Sequence, residues 1–201
     1  MRRTVVNNIV SLDGFYADES GNPTVLNMDE TFDAYNLERL RSAGTVLLGR
    51  TSFEGFGGYW PAIADADEDP DNRALSPDNR EISRLYNRVA KAVVSDSLTV
   101  PAGHPWAATT TVVRRDEAGA WLEQEKQRGN EDILIFGSRV MWNGLLAQGL
   151  VDELHLTVSP SALTAGQPLF LEPANLTLLE VRPFPGSSNA LLRYRPAPAQ
   201  S

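Results

Sequence analysis

Two short apolar runs in this sequence each stop at a glycine, and they constrain the fold more than any other feature. Thr45-Val46-Leu47-Leu48 ends at Gly49, and Ile133-Leu134-Ile135-Phe136 ends at Gly137-Ser138. Neither run is long enough for a helix, and neither alternates with polar residues. Segments of this kind suit interior strands of a parallel sheet, covered by helices on both faces.

The rest of the chain supplies those helices and further strands. Thr4 to Val10 reads as a first strand, stopped by the turn Asp13-Gly14. A helix from about Asp29 to Ser42 carries Phe32, Tyr35, Leu37 and Leu40. Residues 63–80 are acidic and nearly devoid of apolar side chains, which predicts a solvated loop. Ser76-Pro77 then has the form of a helix cap followed by proline at the first helical position, with Ile82, Leu85, Tyr86 and Val89 at helical spacing. Lys91 to Val94 is another short strand, and Asp116 to Gln127 a helix with Ala118, Trp121 and Leu122 inward. After Ser138 comes a helix bearing Val140, Met141, Leu145 and Leu146, with Gly149 as its cap. Leu154, Leu156 and Val158 alternate with Glu153, His155 and Thr157, which predicts a half-exposed strand. Leu176–Val181 and Ala190–Arg195 flank a Pro-Gly-Ser-Ser turn and read as a terminal antiparallel hairpin. Alternating strands and helices of this sort define an α/β fold. With no linker or repeat, residues 1–201 are expected to form one domain with loose ends at 1–3 and 196–201.

Composition removes several classes of function. The formal net charge of −8 argues against nucleic acid, whose phosphates demand clustered Lys and Arg. No cysteine is present, so disulfides, thiolate nucleophiles and zinc–thiolate sites are excluded. No apolar run approaches the roughly 20 residues that cross a bilayer, and the N-terminal residues turn polar before a signal-peptide core could form. A soluble, cytoplasmic protein without membrane partners is the expectation. His104 and His155 are the only histidines. With no pairing group near them in sequence, both read as structural or solvated rather than catalytic.

Ligand chemistry is expected where interior strands end, because the helix that follows offers free N–H groups and a positive dipole end. Three such ends are Gly49-Arg50-Thr51, Ser95 and Gly137-Ser138. Together they suit an anionic, extended ligand such as a dinucleotide. There is no G-x-G-x-x-G after the first strand and no P-loop, so the usual nucleotide fingerprints are absent.

Seven segments then follow in the order and spacing of a known family. They are Ser11-Leu12-Asp13-Gly14-Phe15, Leu47 through Glu54, Tyr59-Trp60-Pro61, Val94-Ser95, Ile135 through Ser138, Gly149 through Leu154, and Pro160 through Phe170. In these the chain resembles the dihydrofolate-reductase-like proteins. It is most similar to stand-alone bacterial relatives of the reductase domain of the riboflavin-biosynthesis deaminase-reductase. The resemblance implies a three-layer α/β/α fold with a mixed, mostly parallel sheet, often dimeric, binding NADPH with the nicotinamide over the end of the first strand. It implies cofactor contacts from Val10, Gly49, Arg50, Thr51, Ser52, Ser95, Gly137 and Ser138. The family often has Ser-Arg at the second strand end, where the basic residue favours a 2′-phosphate. Here Ser95 is followed by Asp96, which leaves NADH open beside NADPH. The implied activity is hydride transfer to a small heterocyclic, pterin- or pyrimidine-like, or carbonyl substrate. Candidate catalytic carboxylates are Asp13, with Asp29 or Asp33 opposite. The competing reading is a nucleotide-binding or sensing protein that has lost turnover.

Overall fold

Thr4–Val10 (β1) lies near the middle of the sheet, although it is the first element of the chain. The computed structural model describes residues 1–197. Phe15–Ala17 (β2) is a short strand outside the main sheet. Glu30–Arg41 (α1) begins at Asp29, whose side chain accepts from the Thr31 and Phe32 amides and so satisfies two of the donors a helix start leaves open. Then come Ala43–Gly49 (β3), Arg50–Ile63 (α2), Pro77–Arg88 (α3), Ala90–Val94 (β4), Thr110–Val113 (β5) and Ala118–Lys126 (α4). Asp132–Phe136 (β6), Arg139–Ala147 (α5), Glu153–Val158 (β7), Gln167–Pro168 (β8), Leu176–Pro183 (β9) and Ala190–Pro196 (β10) complete the chain. Ser76 caps α3 with Pro77 in its first turn, as the sequence predicts.

The main sheet runs in the order β5-β4-β3-β6-β1-β7-β10-β9. The first six strands are parallel, and the closing hairpin is antiparallel. Side chains alternate between the faces of each strand, which builds two cores. Val5, Val46, Leu48, Val93 and Phe136 pack under α1, α2 and α3 through Leu37, Leu40, Phe53, Ile82 and Tyr86. Val6, Leu47, Ala92, Ile133 and Ile135 pack under α4 and α5 through Leu122, Trp142 and Leu145. The architecture is therefore three-layered α/β, mostly parallel, with antiparallel strands on the C-terminal side.

Three expectations need correction. The strand Leu154–Val158 is not half-exposed: Glu153, His155 and Thr157 are all buried. The α1 layer supplies His155 with a partner, because Tyr35 Oη and His155 Nδ1 lie 2.6 Å apart, and His155 Nε2 is 2.8 Å from Glu153. Alternation cannot distinguish a wet face from a buried polar one. The N-terminal end is not loose either. Arg2 is buried, bonding the Glu131 carbonyl and Thr45, while Arg3 grips Asp132 and Glu153. At the other end Pro196 belongs to β10, and the remainder of the predicted loose segment, 198–201, lies outside the described residues.

Candidate active-site cleft

β3 and β6 are neighbours, yet the helices that follow them leave for opposite faces of the sheet. A crevice opens at such a point beyond the carboxyl ends of the strands. Here it is a cleft of about 740 Å³ lined by Gly49, Arg50, Thr51, Ser52, Ser138 and Arg139, among others.

Both helices that start at this rim lack a side-chain cap. Their first-turn N–H groups and positive dipole ends are thus left for a ligand. The serines do not cap; they tie the two turns together. Ser138 N donates to Ser52 Oγ at 2.9 Å, Gly49 N donates to Ser138 Oγ at 3.0 Å, and Ser138 Oγ donates to the Phe136 carbonyl at 3.0 Å. Gly137 and Ser138 both have φ of 54°, and Ser138 is one of only two non-glycine residues with positive φ among the described residues. Such strain persists where surrounding bonds enforce it. A Cβ on Gly137 would lie 3.0 Å from Ser52 Oγ and 3.2 Å from Tyr16 Oη, so glycine is needed there for space as well as conformation.

The other predicted cofactor residues fall at differing distances from this cleft. Arg50 lines it with a half-exposed side chain, Nε donating to Glu54 at 2.7 Å and Nη1 to Ser97 at 3.0 Å. Ser95 is buried, and its hydroxyl turns back to accept from the Ser97 and Leu98 amides. Val10 is a core residue at the end of β1, paired with Val158.

Asp29 and Asp33 share the start of α1, where the Asp29 charge acts on Asp33, and none of the three candidate carboxylates lines the cleft. Asp13 accepts from Ser11 Oγ and from the Leu163 and Thr164 amides, which hold its pKa down at about 2 and latch the 160–166 loop to the turn after β1. Asp29 caps α1 and also takes bonds from Ser187, Asn27 and Asn189. Burial opposes its charge, but these donors outweigh that and lower its pKa. Asp33 bonds Asn79 and pairs with Arg73 from the acidic loop. Burial raises it to about 6 despite the Arg73 charge. His104 stacks on Phe53 at 5.2 Å and accepts the Trp106 amide at 3.0 Å.

Sequence reasoning missed Tyr16, Arg115 and Arg139, all of which line the cleft. Tyr16 arrives on β2, which pairs with β8 across a strand of only two residues. No period can be read from elements so short. Burial raises the Tyr16 phenol, opposed in part by Arg139, so it stays protonated and able to donate at neutral pH. Arg139 donates to the Pro168 carbonyl at 2.8 Å and to Gln167 at 3.3 Å, pinning this small flap to the start of α5. Among the described residues no group of three or more His, Asp or Glu is placed to hold a metal ion. No helix among them is long and apolar enough to cross a membrane.

The sheet order, with a cleft between uncapped helix starts at its carboxyl rim, defines a dihydrofolate-reductase-like α/β protein. A dihydrofolate reductase from Enterococcus faecalis superimposes with a TM-score of 0.59 at 15% identity, covering 96% of each chain. The family model for the RibD C-terminal domain matches residues 2–186, and the chain belongs to that family. It is similar to the uncharacterized protein YyaP of Bacillus subtilis (strain 168), 27% identical over 91% of this chain and 89% of that one. A putative riboflavin biosynthesis protein from Shewanella sp. PV-4 shares the fold with a TM-score of 0.63 at 20% identity, covering 98% of this chain and 99% of that one.

Proposed function

We propose that this protein is a reductase that binds a nicotinamide dinucleotide in the cleft and transfers hydride to a small heterocyclic, pterin- or pyrimidine-like, or carbonyl substrate. The observation that carries the reading is the pair of uncapped helix starts, α2 and α5, opening on one cleft beside Arg50. Membership of the RibD C-terminal domain family supports the same reading.

The residues present fit the pyrophosphate of such a ligand. Free amides at Arg50 to Ser52 and Arg139 to Met141 offer neutral donors, and the dipole ends add positive potential without a mobile counter-charge. Gly137 leaves open the space that a Cβ would fill between Ser52 and Tyr16. Thr51 and Tyr16 supply hydroxyl donors at the cleft wall. The Ser52–Ser138 lock fixes both turns in advance, so little ordering remains to be done on binding. When bound, the dinucleotide would supply the hydride; the chain supplies position and the apolar side chains of Val94, Ala118 and Leu145.

One observation favours a second reading, a nucleotide-binding protein without turnover. None of Asp13, Asp29 and Asp33 lines the cleft, and each is engaged by hydrogen bonds or an ion pair elsewhere in the chain. Thermal-shift titration with NADPH and NADH, followed by NADPH oxidation against pterins, pyrimidines and small carbonyls, separates the two. The reductase reading expects a rise in midpoint with dinucleotide and turnover on at least one substrate class. Stabilisation without turnover on any member supports the silent binder. No stabilisation by either dinucleotide overturns both.

A further inference from the structure

α2 is a poor helix in its own right. Gly55, Gly57 and Gly58 fall in its middle, Pro61 lies inside it, and Phe53 is its only buried residue. α3 beside it has a capping serine, no glycine and five buried residues. A Cβ on Gly55 or Gly58 would meet nothing within 4 Å, so neither glycine is there for space. Each leaves the helix about four- to five-fold less stable than alanine would. The second half of α2 is fastened to α3: Ser83 Oγ donates to the Trp60 carbonyl at 2.6 Å, Asn87 donates to the Pro61 carbonyl at 3.2 Å, and Trp60 stacks on Tyr86. The first turn, which brings Thr51 and Ser52 to the cleft, is separated from those anchors by the three glycines.

Gly57 differs from the other two. A Cβ there would lie 2.8 Å from His104 Nε2 and 3.1 Å from His104 Cε1, so the imidazole rests against bare helix backbone. The same ring stacks on Phe53, one turn nearer the cleft, with centroids 5.2 Å apart. His104 is held in that pose by its own loop. Its Nδ1 accepts the Trp106 amide at 3.0 Å, and its backbone N–H donates to the Pro101 carbonyl at 2.9 Å. Trp106 is wholly buried and donates from Nε1 to Asn87 on α3 at 2.7 Å. The loop therefore carries the anchoring of α3 around the glycines to the first half of α2. His104 itself does not line the cleft.

We infer that His104 is a positioning residue for the cleft: seated on Gly57 and Phe53, it holds the first turn of α2, with Thr51 and Ser52, where a dinucleotide meets it. This rests on the dinucleotide reading above. The Ser138 amide bonded to Ser52 Oγ fixes the same turn from the α5 side. The turn is thus clamped between two contacts, and His104 is the one outside the cleft. With the clamp shut, the soft middle of α2 costs the site nothing. With it open, apparent affinity falls by the fraction of molecules whose turn is out of place.

Calorimetric titration of the full chain with NADPH and NADH, with hydrogen exchange of α2 and α3 in the free protein, tests this. His104→Ala is expected to weaken both dinucleotides by a similar factor, on the order of five-fold. It also speeds exchange of the 54–58 amides while those of α3 hold. Adding Gly55→Ala and Gly58→Ala to His104→Ala recovers most of the lost affinity, because a stiffer helix carries the anchoring of its second half forward. In the otherwise wild-type chain the neighbouring glycines separate: Gly57→Ala displaces the imidazole and weakens binding, whereas Gly55→Ala and Gly58→Ala do not. A His104→Ala variant that loses urea resistance with affinity intact overturns the inference. So does a Gly57→Ala variant that binds like Gly55→Ala, or failure of the two alanines to restore binding; each leaves the dinucleotide site standing. A wild type that binds neither dinucleotide overturns the reading beneath, and exchange then decides the clamp alone: 54–58 amides unchanged in His104→Ala overturn it too.

Discussion

The two ends of the sheet are built from the same kinds of residue and put to opposite use. At the amino end, charged groups are saturated by one another. Glu153 receives Arg3, Arg193 and His155, Arg193 also holds Glu180, and Lys126 reaches Asp152. A depression of about 840 Å³ lies there, lined by Arg3, Asp152, Glu153 and Arg195, and most of its charges are already answered from within the chain. At the carboxyl end two helix starts are uncapped, and Arg50 and Arg115 keep open donors among the described residues. Polarity and concavity do not tell these regions apart. Unsatisfied donors do.

That contrast can be broken by mutation. Glu153→Ala has the largest expected effect, because it strips a buried hub and leaves Arg193 with Glu180 alone and Arg3 with Asp132 alone. Loss of one partner from a buried charge network costs about 3–5 kcal/mol. Urea unfolding is expected to show a loss of this size, while dinucleotide affinity of the folded fraction stays unchanged. A loss of affinity with intact stability would reverse the roles assigned to the two ends.

Gly137→Ala is expected to do the converse. The added methyl meets Ser52 and Tyr16 at a residue with positive φ. A cost of about 1 kcal/mol in stability accompanies a non-glycine residue forced into that region. Dinucleotide binding is expected to fall by a larger factor, on the order of ten-fold or more, since displacement of a close backbone approach affects the ligand directly. Calorimetry and urea unfolding on the same preparation give both numbers.

The smallest effect sharpens the picture of the amino end. Burial lowers His155 to about 4, against the opposing pull of Glu153. The folded state therefore holds a neutral imidazole while the unfolded chain takes up a proton below about 6.5. Since the unfolded state binds more protons between these values, His155 contributes stability above about 6.5 that is lost as the pH falls toward 4. Asp33, raised to about 6, acts with the opposite sign over part of that window. The readout is thus the difference between wild type and His155→Gln in urea midpoint against pH. It is expected to rise with pH between about 4 and 6.5 and to be flat above.

Much of the fold could be read in advance because its determinants are local. Thr45–Leu48 and Ile133–Phe136 are buried at every residue, and Ser76-Pro77 marks a helix start without reference to anything distant. Glu153 and His155 misled because their partners come from Arg3 and from α1, far away in sequence. At the site, Gly49 through Ser52 and Ser138 were legible as a strand-to-helix motif. Tyr16 was not, since a strand as short as Phe15–Ala17 has no pattern. Asp13, Asp29 and Asp33 were legible as acidic residues at a turn and a helix start, but their partners, the 163–164 amides, Ser187 and Asn189, and Arg73 and Asn79, lie far off in sequence.

The central place of β1 has a bearing on how the protein comes to be folded. Thr4 to Val10 is made well before its neighbours on either side, Asp132–Phe136 and Glu153–Val158. Synthesis must run past most of the chain before either flank of that strand can be covered. Contacts so remote in sequence close slowly and expose apolar surface meanwhile. The apolar faces of β1 therefore wait for their sheet neighbours until the last third of this sequence has been made.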